Sequence, residues 1–471
     1  MSLVPGPSGR LPRVAAWTFG GQALSSASNF VVTLWALATL PGRQFALFSL
    51  CITTFLLVTQ LSRALVSTPV LVLYADGGEP GGPPAALGAG VAFGAAASLA
   101  LAVAAAVAAA VAGTGAIGPF LVLAAALPAL QYQDVLRHVC IARHRPQAAA
   151  ASDAAWLVLQ LAGFAALHAT GAATATTIVA VWAGAGAAAG LGAGAVLGLA
   201  PHVRRAVRWW RANYVLCRRL ACEFAANAGS YYVIAYGLAV IAGAAQLGHL
   251  RAAQALFGPV SVLLLGGTVL GVPESVRAAG DGASLRRLTV RLSTGLAGIA
   301  LLSGAALFVL LPIAGPRLLP GAWQTARPLI PALTLFGAGI GASAGALSGL
   351  RALADGRWIV VAQGVRGTLA VALGLAAAAR FGAGGALAGL ALAEWLFAAA
   401  AWSRLLERRP AGRPATARSA GSRPDLERVP ALGVWRSTSC VPQLRTPSDA
   451  RHESAPVVLH RTLTGTGGLT G

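Results

Sequence analysis

The chain has 471 residues, of which 56% are hydrophobic and only 10% charged, with a mean hydropathy of +0.71. A soluble domain carries about 25% charged residues, so this composition excludes a soluble globular protein and points to a polytopic membrane protein. The 35 basic residues are all arginine and the formal net charge is +21; in so apolar a chain that charge belongs to the membrane surface, and no nucleic-acid partner is expected.

A membrane-spanning helix needs roughly 20 mostly apolar residues. Twelve segments approach or meet this, at about 14–40, 45–74, 86–112, 117–141, 149–169, 174–199, 222–244, 251–276, 292–313, 329–350, 358–379 and 382–403. Residues 1–13 are too short, and the apolar stretch after them too long, for a signal peptide. The first segment is therefore read as an uncleaved span. The predicted fold class is all-α integral membrane, with twelve transmembrane helices in two six-helix repeats. The bundles are expected at 14–200 and 222–403, with a basic cytoplasmic linker at 201–221 and a tail at 404–471. The tail is rich in Arg, Pro, Ser and Thr and cannot bury enough apolar surface to fold, so it reads as disordered.

Twelve spans put both termini on one side. With the N-terminus inside, nineteen Arg fall on inside segments and five outside. The positive-inside rule then makes both termini cytoplasmic and the protein a multi-pass protein of the cytoplasmic membrane. In the linker, Val203, Val207, Trp210 and Tyr214 recur at helical spacing while Arg204, Arg208, Arg211 and Arg218 fall mostly on another face. Such a helix lies in the interface against anionic lipid. The halves read as distant repeats: the stretch from Gln44 matches that from Gly248, and the stretch from His168 matches that from Arg380.

Polar groups inside the bilayer are costly and mark function by default. Asn29 lies near the centre of span 1. Arg63 lies on span 2, about 16 Å from its inner end, too deep to snorkel easily. Facing a cavity, its guanidinium would bind an anion such as a phosphate; the alternative is a buried pair with Glu394 or another acid. Asp134, Arg137 and Asp153 read as a structural charge cluster, and Glu274 with Arg277 likewise. Arg251 and Gln254 begin span 8, where a rim position explains them nearly as well as a binding role. Arg366 lies about two turns into span 11, and Glu394 is the lone acid suited to carry a coupling ion. Arg outnumber acids at depth, which favours an anionic substrate over a cationic drug. The five cysteines, Cys51, Cys140, Cys217, Cys222 and Cys440, lack metal-ligand spacing. No enzyme motif is present, and neither a metal nor a cofactor is expected.

Twelve spans in two six-span repeats joined by a basic linker resemble the multidrug/oligosaccharidyl-lipid/polysaccharide (MOP) exporter superfamily, with a MATE-like architecture. Three stretches resemble its polysaccharide-export, O-antigen flippase-like branch: Gly248–Pro259 (GHLRAAQALFGP), Gln133–Asp153 (QDVLRHVCIARHRPQAAAASD) and Ala38–Leu50 (ATLPGRQFALFSL). The resemblance covers about residues 14–405. It implies a flippase for undecaprenyl-diphosphate-linked saccharides, a polyprenyl-diphosphate-linked glycan being the expected partner along with polysaccharide-assembly proteins. It places Arg63 first among the residues holding the diphosphate, with Arg251 and Arg366 second and Gln254 and Asn29 beside them. The lipid II branch carries further arginines on span 1 and two extra spans, and the drug-antiporter branch carries an acid on span 1. All are missing here. An ion-coupled drug or metabolite antiporter of the same fold is the alternative.

Overall fold

The computed structural model describes residues 24, 27–74, 82–112, 116–318 and 322–408. The expectations for the N-terminus, for the start of the first span, for most of the loop at 75–85 and for the tail beyond Arg408 lie outside these residues. In chain order the first half contains α1 (Ala27–Thr39), α2 (Gly42–Leu73), α3 (Gly82–Ala112), α4 (Gly118–Ala142), α5 (Pro146–Thr170) and α6 (Ala175–Leu197). A short α7 (Ala206–Ala212) leads to α8 (Tyr214–Ile241), α9 (Ala244–Leu256), α10 (Gly258–Ala278) and α11 (Gly282–Leu318). Then come α12 (Ala322–Ala326), α13 (Ile330–Ala352) and the helical run Gly356–Glu407.

Nine helices among the described residues are long and apolar enough to cross a membrane. The difference from twelve has three sources. The described part of the first span, Ala27–Thr39, is short. Span 8 is shared between α9 and α10, which break at Phe257 where Pro259 enters the first turn of α10; Pro lacks the N–H that would continue the ladder. The 52-residue run Gly356–Glu407 is two antiparallel helices, α14 (356–381) and α15 (383–407), reversing at Gly382 (φ 55°, ψ −137°). Their backbones nearly touch: a Cβ on Gly389 would lie 2.5 Å from the Gly374 amide nitrogen. Within the described residues each predicted span therefore falls on a helix, span 8 on two.

Gly382 is required twice over. Its dihedrals belong to a region open almost only to Gly, and a Cβ there would meet Gln246 Oε1 at 2.5 Å. Gly382→Ala is expected to cost about 1–3 kcal/mol, read as a lower thermal midpoint of the purified protein. Gly364→Ala, with nothing within 4 Å of the added methyl, is the unaffected control.

One pair of hydrogen bonds fixes the register of the repeat. Gln44, third residue of α2, accepts from the Ala175 amide at the start of α6 (3.0 Å). Gln246, third residue of α9, accepts from the Ala383 amide at the start of α15 (3.0 Å). Each glutamine satisfies an amide that its helix end leaves without a partner. Gln44 therefore corresponds to Gln246 and Ala175 to Ala383. The sequence matches of Gln44 with Gly248 and His168 with Arg380 are displaced by a few residues, because runs of Ala and Gly align at several offsets.

The first half packs around Trp182, which is fully buried. Phe55 meets its ring edge-on at 4.7 Å, and Trp156 donates Nε1–H to its carbonyl oxygen (2.9 Å). The halves meet where α9 runs along α2, with Gly248 in contact with Phe45 and Ala46. Between α10 and α11, Asp281 accepts from the Ala283 and Ser284 amides and the Ser284 hydroxyl. The Ser284 bond foremost, then the amides, holds its carboxyl below the usual range.

The linker differs from the expectation. The amphipathic helix predicted through 220 breaks at Asn213, and Tyr214 already begins α8. The second bundle thus starts about two turns before residue 222. Ala206 and Trp209 are the buried face of α7, and Trp209 donates to the Tyr74 hydroxyl (2.9 Å). Val203 and Val207 remain exposed.

Candidate functional site

Two cavities lie against the junction of the halves. The first, about 570 Å³, lies between α1, α2, α9 and α10 and is lined among others by Asn29, Thr33, Ser49 and Ile52. The second, about 410 Å³, lies between α8, α9, α10 and α13, with Tyr231, Phe257, Ser261 and Phe336 on its walls. Arg251 and Gln254 line both. They stand three residues apart on α9, so they share a face of the helix.

The structure moves Arg251 away from the rim. Span 8 begins at Ala244, after the left-handed turn at Gly243 (φ 93°), which puts Arg251 about 10 Å inside by the helical rise. Arg251 donates from Nε (3.0 Å) and from one terminal nitrogen (2.9 Å) to Thr53 Oγ1. The Thr53 hydroxyl spends its own proton on the Ser49 carbonyl (2.6 Å), so its lone pairs are free to accept. The guanidinium lies 5.8 Å from the centre of the Tyr231 ring. Tyr231 donates its hydroxyl to Gln254 Oε1 (2.8 Å), and Thr54 bonds the Tyr236 hydroxyl (2.7 Å). Thr53, Thr54, Tyr231 and Tyr236 were not singled out from the sequence. The available signal was that three of the chain's six tyrosines fall within Tyr231–Tyr236.

The other candidates are paired. Arg63 sits where α2 widens into a π-turn, Arg63–Ser67. It donates to Asp134 Oδ1 from Nε (3.0 Å) and a terminal nitrogen (2.7 Å), and Ser67 donates to the other carboxylate oxygen (2.9 Å). This is the buried-pair alternative, with Asp134 rather than Glu394 as the acid. Arg137 pairs with Asp153 on α5 (3.0 Å). The charge cluster is thus structural, but Asp134 and Arg137 each pair with a different neighbouring helix. Arg366 pairs with Glu394 (2.9 Å) and donates to the Asn227 carbonyl and side-chain oxygens on α8 (3.2 and 2.9 Å). Glu394 accepts from Ser343 on its other oxygen (3.1 Å). Arg366 and Glu394 line a further cavity of about 540 Å³ within the second half, which Arg251 does not line. Glu274 and Arg277 form an exposed pair (2.8 Å). Of the deep arginines, only Arg251 has no carboxylate partner among the described residues. Neither central cavity is lined by an acid.

Two repeated six-helix halves around central cavities define a multi-pass membrane protein with the fold of MOP-superfamily transporters. Among solved structures, the chain is similar to a multidrug resistance MATE family transporter of the MOP superfamily in its inward-facing conformation (TM-score 0.65, 11% identity, 82% of this chain and 94% of that one). It is similar to the lipid II flippase MurJ in an inward closed conformation (TM-score 0.58, 10% identity, 82% and 86%). It is also similar to a MOP superfamily transporter from Pyrococcus furiosus, described as having a binding pocket of reverse polarity that suggests a different function (TM-score 0.55, 12% identity, 85% and 95%). No family model matches the sequence, and no curated protein matches it.

Proposed function

We propose that the protein is an alternating-access transporter of the cytoplasmic membrane that moves a lipid-linked oligosaccharide or a related polysaccharide precursor. The observation that carries this reading is the charge of the central cavities: among the described residues, one cation, Arg251, and no acid. A partly buried guanidinium with spare N–H donors suits a phosphate. A cationic drug would meet repulsion and no counter-charge. The lipid substrate named for MurJ supports the same direction. We assign Arg63 to its ion pair with Asp134. Glu394 keeps both oxygens on protein donors, so we assign no coupling ion to it. Cytoplasmic termini are proposed from the Arg distribution. The exposed Val203, just before α7, and Val207 on it, beside Arg204 and Arg211, then rest on the anionic inner leaflet.

Mass spectrometry of polyprenyl-linked saccharides after depletion of the protein in its host tests this. One diphosphate-linked oligosaccharide is expected to accumulate on the cytoplasmic leaflet. An unchanged lipid pool, with altered sensitivity to cationic compounds, would replace the flippase by the antiporter.

A further inference from the structure

The second central cavity carries a larger share of aromatic side chains than the first. The first has Phe30 and Phe48 among mainly aliphatic and small side chains. The second has aromatic walls: Tyr231 from α8, Phe257 between α9 and α10, and Phe336 from α13. Phe257 is fixed in place, 2% exposed and against the backbone of α13 at Gly337. Tyr232 supports Tyr231 edge-on at 5.4 Å. Into this cavity reach polar groups that the protein leaves unused. Gln254 accepts the Tyr231 proton on its oxygen, and its two amide N–H groups have no partner among the described residues. Arg251 engages Thr53 through Nε and one terminal nitrogen, and the other terminal nitrogen has no partner among the described residues.

Aromatic walls with a few convergent donors are what a pyranose ring needs. Its C–H faces are apolar and its hydroxyl edge is polar, and a mostly apolar cavity with few placed polar groups fixes orientation. An undirected greasy cavity would not place a carboxamide with free N–H donors three residues from the phosphate-binding arginine.

We propose that the cavity bounded by Tyr231, Phe257 and Phe336 is the subsite for the sugar attached directly to the diphosphate. Phe336 stacks on the ring, Gln254 Nε2 donates to a ring hydroxyl, and Arg251 holds the adjoining phosphate. The assignment rests on the proposed lipid-linked substrate. It makes Gln254 and Phe336 specificity residues, reading the sugar and not the lipid.

The test uses the full-length protein in nanodiscs and two probes: undecaprenyl diphosphate, and the same lipid carrying one N-acetylhexosamine. Binding is read by native mass spectrometry. Phe336→Ala and Gln254→Leu are each expected to weaken binding of the glycosylated probe roughly tenfold and to leave the bare diphosphate unchanged. Arg251→Gln is expected to weaken both. Leu335→Ala, one residue away and 50% exposed on the outer face of α13, is expected to change neither. If Phe336→Ala and Gln254→Leu weaken both probes equally, or neither, the sugar subsite is overturned while the transporter reading stands. If the wild-type protein retains neither probe, the lipid-linked substrate itself is lost, and the subsite with it. Thermal midpoints of the variants separate loss of binding from loss of fold.

Discussion

Arg251→Gln is expected to lower transport of a diphosphate-linked substrate by about 30-fold or more while the protein accumulates normally. Removing one member of a desolvated, hydrogen-bonded charge contact costs about 2–5 kcal/mol, and about 1.4 kcal/mol is tenfold. The fold has little to lose at this position. Arg251 forms no ion pair among the described residues, and its protein bonds go to one threonine hydroxyl. Hydrogen bonds from a charged group are worth about 1.5–3 kcal/mol net, but the loss falls on Thr53 alone and the glutamine amide can still donate to it. Arg251→Lys keeps the charge but not the planar fork, and intermediate transport is the expected result. Reconstituted proteoliposomes and an abundance control decide it: normal transport by Arg251→Gln at normal abundance removes Arg251 from the site.

The second large effect is on stability. Asp134→Asn leaves the Arg63 charge without its counter-ion in the middle of the first bundle. Breaking a fully buried pair costs about 3–5 kcal/mol. Here the figure is nearer 2–3 kcal/mol, because the Arg63 side chain keeps 32% of its exposure while Asp134 keeps 7%. The thermal midpoint and the membrane abundance should both fall. The double variant Arg63→Met with Asp134→Leu should recover most of the loss, since apolar replacement of a buried pair is often neutral or better. A substrate role for Arg63 predicts the opposite pattern: transport lost in Arg63→Ala at full stability. The double variant separates the two, since it restores stability without restoring a cation.

Much of the architecture was legible in the sequence. The bilayer demands unbroken apolar stretches of fixed length, and a chain with 10% charged residues leaves few ways to place them. The repeat was visible, but its register was not. Ala and Gly pack helices closely and also align at many offsets, and only the Gln44 and Gln246 bonds to helix starts choose one. The excess of deep Arg over acid was also visible, though not which Arg carried it. Asp134 and Arg137 lie one turn apart on α4, yet they bond to α2 and α5 respectively. Residues three apart on a helix share a face only in part, and a neighbouring helix can claim either one.

The sequence by itself determined the membrane class, the apolar segments and the excess of deep arginine. These follow from hydropathy and from the cost of burying charge, which are properties of residues and their order. The tertiary structure decided that Asp134 and Glu394 neutralise Arg63 and Arg366, and that Arg251 stands between two cavities with Thr53, Tyr231 and Gln254 around it and no carboxylate partner among the described residues. Ion pairing and cavity lining depend on which faces of distant helices meet, and that information resides in the packing of the two halves.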